Sequence, residues 1–490
     1  MNGQVVRSVA VAVWLIGAGA SSLACSSRLI DLGGAGGGAG GGAGMPGGWQ
    51  VLPTQGAHKA DVLFMVDNSA SMQPLQQKLK DAFPAFVSTL QALPNGPPDL
   101  HIAVISSDTG PGIFELPQYG CRFAGDQGRF QFAPRGDCTV SPLPSDQTFL
   151  SVGNGAQNFT GALPDALKCI AQLGDQGCGF EGPLKSIRWA LDPLNVPDSN
   201  LGFLRPDALL ALVLVTNEDD CSLPDDSMLA DPQQTKMSDP LGPFWSFRCN
   251  EFGHLCNIGG HLVPPPRGAA DGLLGCQSNE GPTGKLTHLS DEAAFLRSLK
   301  PSSNQIMMAA IAGPTTPYGI EMVQDNPSVE AHPVMKHSCQ FDGAEYADPP
   351  VRLKQLVDGF GPNGMMLPIC ADSLQPQLTT IAQAIGDHVG YPCVTGPFPT
   401  VDGSMQPSCR VIDNFAIDPV THQPTGSAVR NCIDSGGATP CWTTADEAVG
   451  CSAGAKVLHI DRGTEPMPGG VTAFSCAPCP TDHAEVGCSL

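Results

Sequence analysis

One stretch of the sequence constrains the fold more than any other, because a fully apolar segment ends there at an aspartate. Residues Val62–Val66 are all apolar, which predicts a strand buried on both faces of a parallel sheet. Asp67 follows at once, and Ser69 and Ser71 come after it at spacings of two on a predicted turn. A helix is predicted over 75–93, where apolar residues recur at helical spacing. Open α/β sheets bind ligands at the carboxyl ends of their strands, so we expect this turn to lie at a binding edge.

The three polar side chains of this turn predict a site for a hard divalent cation. One carboxylate and two hydroxyls are oxygen ligands of the kind that Mg²⁺, Ca²⁺ and Mn²⁺ prefer. The segment Asp67-x-Ser69-x-Ser71 resembles the metal-ion-dependent adhesion site of von Willebrand factor A domains. That resemblance implies that water and an acidic group of a partner protein complete the metal shell. The alternative interpretation is an Asp-Ser turn that caps the next helix.

Strands and helices alternate along much of the remaining chain. Strands are predicted at 100–106, 208–216, 305–312 and 365–369, and helices at 164–173, 183–191, 291–300 and 374–385. This alternation predicts an α/β fold with a doubly wound, mainly parallel sheet flanked by helices. With the Asp67 segment, it resembles a von Willebrand factor A domain, with its Rossmann-like layers, across residues 59–392. Two insertions, at 107–160 and 221–288, are rich in Gly, Pro and Cys and are expected to be stapled surface loops.

The resemblance implies a third metal ligand on a loop that precedes a helix. The family has a Thr there, whereas the loop before the predicted helix at 183–191 offers Glu181. Thr160, before an earlier helix, is the rival. A carboxylate at Glu181 would add negative charge to the metal shell, and the alternative is that it complements the positive end of the helix. The segment Gly177-Cys178-Gly179-Phe180-Glu181 is similar to one in bacterial exported lipoproteins that carry an A domain and a Cys-rich tail.

The resemblance also implies a last ligand directly after the central strand. The family has an Asp there, but Thr216 is followed here by Asn217, which lacks the charge. Asp219 lies two residues further on and is included in the expected site, together with Asp67, Ser69, Ser71, Glu181 and Asn217. The acidic run at 218–220 is alternatively a solvated turn.

The first residues predict export and a lipid anchor. Residues 1–24 carry Arg7 and a short apolar core, which is typical of a signal peptide and too short to span a membrane. Ser22-Leu23-Ala24-Cys25 resembles a bacterial lipobox with Cys25 as the acylated residue, although ordinary signal peptidase could also cleave before it. The linker at 25–58 is mostly a flexible Gly-rich tether. We expect an outer-membrane-anchored lipoprotein of the cell envelope, or else a secreted or periplasmic protein.

The cysteines predict a disulfide-bonded protein with a separate C-terminal module. The chain has 19 cysteines, and apart from Cys25 they fall into even-numbered groups on either side of residue 392. Even numbers suit disulfides that close within each region in an oxidising compartment. Residues 393–490 have short strand-like pieces between Gly, Pro and Cys, which predicts a small disulfide-rich β module. A structural disulfide is expected at the Cys476-x-x-Cys479 segment instead of a redox site, and disulfides instead of zinc at Cys249 and Cys256.

The charge and the missing motifs narrow the classes of function. A formal net charge of −22 argues against binding to nucleic acid or directly to an anionic membrane. The chain contains neither His-Glu-x-x-His nor Gly-x-Ser-x-Gly, and no enzyme is predicted. Two functions remain open. One is a binding module that captures an acidic group of a partner protein through Mg²⁺, Ca²⁺ or Mn²⁺, and the other is a structural envelope protein whose metal site has lapsed.

Overall fold

The protein is described from a computed structural model. It covers residues 49–53, 59–93, 96–112, 121, 124–153, 155–229, 236–300, 305–324, 327, 330–341, 345–389, 393–394, 409–417, 424–445, 456–463 and 471–476. The predicted signal peptide, Cys25 and the glycine-rich tether lie outside the described residues, as do Cys451, Cys479 and Cys488. No helix in the described ranges has both the length and the apolar character needed to cross a membrane.

Strands and helices alternate through the first part of the chain, and strands dominate its last part. In chain order the strands are β1 (Gln50–Pro53), β2 (Lys59–Val66), β3 (Asp99–Ser106), β4 (Leu150–Gly153), β5 (Ala156–Gln157), β6 (Leu209–Val215), β7 (His254–Ile258), β8 (His261–Val263), β9 (Leu274–Ser278), β10 (Ile306–Ala312), β11 (Ile320–Val323), β12 (His332–Met335), β13 (Cys339–Phe341), β14 (Glu345–Ala347), β15 (Gly364–Pro368), β16 (Cys393–Val394), β17 (Arg410–Ile417), β18 (Pro424–Asn431), β19 (Cys441–Ala445), β20 (Lys456–Asp461) and β21 (Val471–Ser475). The helices are α1 (Gln73–Gln91), α2 (Leu163–Ile170), α3 (Pro183–Leu191), α4 (Phe247–Gly253), α5 (Leu289–Ser298), α6 (Val351–Asp358) and α7 (Gln375–Val389).

A central sheet of seven strands runs in the order β15-β10-β6-β2-β3-β4-β5. The first five of these strands are parallel to their neighbours, and the last two turn back in antiparallel pairs. Strand β3 therefore lies on one side of β2 in the sheet, and the later strands β6, β10 and β15 lie on the other side. The predicted mainly parallel sheet with flanking helices is confirmed.

Helices cover both faces of this sheet because the side chains of β2 alternate between two apolar clusters. Val62 and Phe64 belong to a cluster that includes residues of α1, α2 and α7. Leu63 and Met65 belong to the opposite cluster, with residues of α3, α5 and α6. Strand β2 is buried on both faces, which explains why its sequence is continuously apolar instead of alternating.

The described residues of the two predicted insertions contain strands and a helix, and disulfides join the first insertion to residues outside it and close within the second. The first contributes β4 and β5 to the central sheet, and the second contains α4 and a small sheet in the order β8-β7-β9. The ten cysteines between residues 60 and 392 pair with one another, as the even count predicted. The pairs are Cys121–Cys178, Cys138–Cys169, Cys221–Cys249, Cys256–Cys276 and Cys339–Cys370. Cys249 and Cys256 are therefore not free thiols for zinc.

The last part of the chain forms a second sheet, in the order β1-β21-β17-β18-β19-β20-β16. Strand β1 lies within the range expected to be a linker, and it pairs with β21 near the other end of the chain. Trp49, just before β1, is buried and lies under the guanidinium of Arg410, 4.6 Å from its ring centre. Cys476 pairs with Cys409, and Cys432 pairs with Cys441. These bridges are typical of a protein that matures in an oxidising compartment.

Candidate functional site

The strand register of the central sheet brings three polar residues to one point. Val66 at the end of β2 is level with Ser106 of β3 and with Val215 of β6. The next residues along these strands, Asp67, Ser107 and Thr216, therefore meet at the carboxyl edge of the sheet, as expected for such folds. This is the edge that the sequence predicted for a binding site.

Asp67 is completely buried at this edge and accepts three hydrogen bonds. The backbone N–H of Ser69 donates to Oδ1 at 2.8 Å, and the hydroxyl of Ser107 donates to the same oxygen at 3.2 Å. The hydroxyl of Thr216 donates to Oδ2 at 2.7 Å. Burial nevertheless raises the pKa of Asp67 above its usual value, because these bonds only partly replace water.

Ser69, Ser71 and Asn217 lie side by side next to Asp67. The Oγ atoms of Ser69 and Ser71 are 3.2 Å apart. The side-chain amide of Asn217 lies against the Ser71 hydroxyl, with Nδ2 at 3.1 Å and Oδ1 at 3.2 Å. Asn217 Nδ2 also donates to the carbonyl of Tyr346 at 3.2 Å. The structure therefore brings together four of the six predicted ligands at the ends of β2 and β6.

The Glu181 loop, residues 177–182, is held against the same edge by its backbone. Gly177 N–H donates to the carbonyl of Asn68 at 2.7 Å, and Gly182 N–H donates to the carbonyl of Ser107 at 2.9 Å. Position 177 needs glycine because a Cβ there would lie 2.3 Å from the Oδ1 of Asn68. The Cys121–Cys178 disulfide fixes this loop to the first insertion. Helix α3 begins directly after the loop at Pro183, a residue suited to the first turn of a helix.

Glu181 is buried near Asp67 and Glu218, and its carboxyl group shares a hydrogen bond with that of Glu218. We call Asp67, Glu181 and Glu218 the acidic cluster. Burial, with the nearby charges of Glu218 and Asp67, raises the pKa of Glu181 well above its usual value. Burial, with the charges of Asp348 and Asp67, raises the pKa of Glu218 to about 8. Glu181 Oε1 is buried and has no hydrogen-bond partner among the described residues.

The structure does not bring Asp219 to this cluster. Its Oδ2 accepts hydrogen bonds from the ring Nε2 of His254 and from the backbone N–H of Arg352, both at 2.8 Å. Its Oδ1 accepts a hydrogen bond from the backbone N–H of Leu353 at 3.0 Å. Asp219 therefore caps the first turn of α6 and is not a ligand beside Asp67. The rival residue Thr160 is exposed, and its hydroxyl donates to the carbonyl of Pro142 at 3.3 Å.

Three residues near this edge, Ser107, Glu218 and Asp348, were not predicted from the sequence as part of the site. Ser107 follows β3 as Asp67 follows β2, so the parallel register could have identified it. Glu218 follows Thr216 by two residues and was visible only as one acid in a run of three. Asp348 has no local signal. It reaches the site because its backbone N–H donates to the carbonyl of Asn217 at 2.8 Å, a pairing between distant parts of the chain.

The residues at this edge fit a hard divalent cation. Their ligand atoms are carboxylate, hydroxyl and amide oxygens, which suit Mg²⁺, Ca²⁺ or Mn²⁺. The unpaired Oε1 of Glu181 is an oxygen that a cation would satisfy. Within the described ranges no three His, Cys, Asp or Glu side chains are arranged to hold a metal ion. A cation here would therefore also need the hydroxyls of Ser69 and Ser71.

A cleft with a volume of about 280 Å³ opens beside the acidic cluster. Its lining residues include Glu181, Glu218, Tyr346 and Asp348. The imidazole of His337 stacks on the Tyr346 ring with centroids 3.7 Å apart. The Cys221–Cys249 disulfide also lines the cleft and joins the loop after β6 to α4. Of the predicted ligands, Glu181 and Asp219 line this cleft.

Comparison with solved structures found several distant similarities. The pilus adhesin SpaC from Lactobacillus rhamnosus GG has a TM-score of 0.29 and 11% identity, over 87% of this chain and 42% of that chain. The PilB minor pilin from Streptococcus sanguinis has a TM-score of 0.29 and 13% identity, over 70% of this chain and 65% of that chain. A von Willebrand factor type A structure from Catenulispora acidiphila has a TM-score of 0.29 and 10% identity, over 88% and 61%. This chain thus spans less than two thirds of each of these structures. No family model matches it, and neither does any curated protein.

Proposed function

We propose that the protein is an adhesion-type binding protein of the cell envelope, built on a von Willebrand factor A domain. A divalent cation, Mg²⁺ or Ca²⁺ with Mn²⁺ as a further option, would be held by Asp67, Ser69, Ser71, Glu181 and Asn217. The bound cation would capture an acidic group of a partner protein. We propose neither a catalytic step nor direct contact with nucleic acid for this protein.

The observation that carries this proposal is the unpaired oxygen of Glu181. A buried carboxylate oxygen without a hydrogen-bond donor is costly, and native proteins rarely keep one without a reason. Glu181 Oε1 is such an oxygen among the described residues, and it lies beside the buried carboxyl of Asp67. A cation at this place would stabilise both carboxylates and would leave a coordination position for a partner on the cleft side.

The second candidate function is a structural envelope protein in which the metal site has lapsed. Two observations favour it. Protein groups already donate hydrogen bonds to both oxygens of Asp67, from Ser107 and Thr216 among others. Asn217 offers an uncharged amide where the related domains have a carboxylate, and this amide already contacts Ser71. In this case the Asp67 network would serve only to join β2, β3 and β6.

Calorimetric titration with Mg²⁺, Ca²⁺ and Mn²⁺ separates the two functions. The parent chain is expected to bind at least one of these ions, and Asp67→Ala is expected to abolish binding. Glu181→Gln should weaken binding by about tenfold or more, the equivalent of about 1.4 kcal/mol. Asp146→Asn is the matched control, because it removes an exposed carboxylate outside the site and should change nothing.

Two outcomes of this titration would contradict the proposal. If the parent binds none of the three ions, the structural function stands. If Glu181→Gln binds like the parent while Thr160→Val weakens binding, the third ligand belongs to Thr160 and the assignment of Glu181 is wrong.

We further propose that acylation of Cys25 anchors the protein to the outer membrane. The support is the lipobox-like segment before Cys25 and the tether after it, and the disulfides fit an extracytoplasmic location. Cys25→Ser is expected to move the protein from the membrane fraction to the soluble fraction. Unchanged fractionation and processing of this variant would rule out the anchor.

A further inference from the structure

The cleft beside the acidic cluster has more space than a metal ion requires. Its volume of about 280 Å³ is many times the roughly 10–15 Å³ that one water molecule needs. A divalent ion held by Glu181 and the other proposed ligands would fill only part of this space. Tyr346, Asp348, Glu321 of β11, and Val334 and Met335 of β12 also line the cleft. The cleft is therefore able to take a side chain of a bound protein.

The charge of the cleft selects a cationic occupant. Its described lining includes Glu218, Asp348 and Glu321 and contains no lysine or arginine. Asp348 Oδ1 contacts the Nδ1 of His337 at 2.8 Å, and Glu321 is exposed at the mouth. A positive group entering this space would meet the carboxyl groups of Glu218, Asp348 and Glu321, and its charge would favour their ionised forms.

The cleft also has apolar walls, which suit a long side chain better than a bare ion. Val334 and Met335 of β12 and Phe247 of α4 line it. Lysine and arginine place their aliphatic stems along apolar surface and keep a charged head at polar groups. An arrangement of apolar walls that lead to buried carboxylates fits this pattern.

The Glu181 oxygen that supports the cation site also belongs to a residue that lines this cleft, so a positive group in either place would lie near it. Glu181 lines the cleft, is only 2% exposed, and keeps Oε1 without a hydrogen-bond partner in the described structure. We propose that the cleft binds a lysine or arginine side chain of the partner protein, next to the cation site that takes the partner's carboxylate. The identity of the occupant as a partner's side chain rests on the proposed function. The preference for an organic cation rests on the cleft alone.

The experiment uses the full chain and two matched probes in the presence of a metal chelator. The probes are arginine with both ends blocked and citrulline blocked in the same way, which has nearly the same shape but no charge. Binding is followed by NMR chemical shifts or calorimetry at low salt, because salt weakens exposed charge interactions. We expect the arginine probe to bind at least about tenfold more tightly than the citrulline probe.

Variants place the bound probe in the cleft. Asp348→Asn and Glu321→Gln are each expected to weaken arginine binding several-fold, and the double variant by about tenfold or more. Glu321 is exposed, so its variant tests the cleft even if Asp348→Asn folds poorly. Asp146→Asn serves as the control that removes a charge elsewhere and should bind like the parent.

The outcomes distinguish this inference from the proposed function. Equal binding of both probes, no binding of the arginine probe, or unchanged binding by both cleft variants would overturn the cleft assignment. If Mg²⁺ or Ca²⁺ displaces the arginine probe and Asp348→Asn abolishes metal binding, the cleft is a metal site instead. If arginine binds as expected but the parent takes up no metal ion, the cleft assignment stands and the metal-dependent function fails.

Discussion

Two groups of carboxylates meet at the loop after β6, and they differ in the partners that the protein provides for them. Asp220 pairs with the guanidinium of Arg352, whose Nη2 is 3.0 Å from Oδ2, and Asp219 pairs with His254. We call these four residues the paired cluster. Glu218, one residue earlier, has no cationic partner of this kind. Burial and the charges of Asp348 and Asp67 raise its pKa, and a hydrogen bond with Glu181 opposes this only in part.

The difference separates what holds the fold from what can bind. In the paired cluster, protein groups hydrogen-bond both carboxylates and join the loop after β6 to α6, although burial still raises the pKa of Asp220 against the effect of Arg352. In the acidic cluster, buried carboxyls lie together with raised pKa values, which is where functional sites are most often found. We infer that stability and binding are divided between adjacent residues of one loop, and four predictions test this division.

The largest expected effect comes from breaking the paired cluster at Arg352. Arg352→Met leaves Asp220 buried without its cation, and removal of one partner of a buried pair typically costs about 3–5 kcal/mol. The variant also loses the bonds that Arg352 donates to Ser278 Oγ at 2.7 Å and to the carbonyl of Thr287 at 2.7 Å. The free energy of unfolding from urea titration measures the loss.

The control for Arg352→Met is the double variant with Asp220→Asn. Because it removes both charges, it should recover part of the lost free energy. If the single variant is as stable as the parent, Arg352 does not hold this loop and the division between the clusters fails.

The parallel core could be predicted from the sequence because its segments carry local signals. The helix predicted at 183–191 corresponds to α3, and the apolar run after 208 corresponds to β6. Helix α6 was missed because its pattern is short and begins after Pro349-Pro350. Strand β1 was missed because its partner, β21, is more than 400 residues away, so that pairing had no local signature.

The candidate site was only partly predictable for a related physical reason. Asp67, Ser69 and Ser71 form a local sequence pattern, and the position of Glu181 could be predicted from the helix that follows it. The choice between Glu218 and Asp219 depends on which way each side chain points from a loop. That direction is decided by His254 and the N–H groups of α6, which are remote in sequence.

The second prediction concerns the acidic cluster and has the opposite sign. The folded pKa of Glu218 is about 8, above its unfolded value near 4.5, so the folded state binds more protons between these pH values. In chelator, the free energy of unfolding is therefore expected to fall as pH rises from about 4.5 through about 8. Glu218→Gln should remove this dependence and stabilise the protein at pH 8 by roughly 1–3 kcal/mol.

Urea titrations at several pH values, with and without Ca²⁺, measure this effect. Ca²⁺ is expected to offset the loss at high pH in the parent and to have a smaller effect in Glu218→Gln. Asp146→Asn again controls for the loss of one negative charge. A parent that becomes more stable between pH 5 and pH 8 in chelator would contradict the prediction.

The third prediction sharpens the contrast on the neighbouring residue. Burial opposes ionisation of Asp219, but the hydrogen bonds from His254 and the N–H groups of Arg352 and Leu353 outweigh it and hold its pKa below the usual value. Asp219→Asn keeps one acceptor oxygen and is expected to cost about 1 kcal/mol at pH 7, the usual value of a lost helix cap.

The pH dependence of Asp219 should be opposite to that of Glu218. Its folded pKa is lowered, so its contribution to stability is present above the unfolded value of about 3.8 and is lost as pH falls through the folded pKa. The stability difference between the parent and Asp219→Asn should therefore shrink only in strong acid. A difference that instead shrinks between pH 5 and pH 8 would place Asp219 with the acidic cluster.

The smallest effect is expected at Glu292, which combines features of both clusters: its carboxylate has a cationic partner, and its pKa is raised. Its carboxylate pairs with Arg188 at 3.1 Å, yet burial raises the pKa of Glu292 to about 7 against the effect of this pair. The raised pKa means that burial outweighs the pair, and the Arg188 side chain is 30% exposed, so salt screens the pair. Glu292→Gln should change the free energy of unfolding by less than about 1 kcal/mol at pH 7.

Urea titration at low and high salt tests this prediction for Glu292, with Arg188→Gln as the matched partner variant. A loss of about 3 kcal/mol or more would match the loss of a fully buried pair. It would show that the partial exposure of Arg188 does not weaken its pair with Glu292, and that pairing alone decides stability.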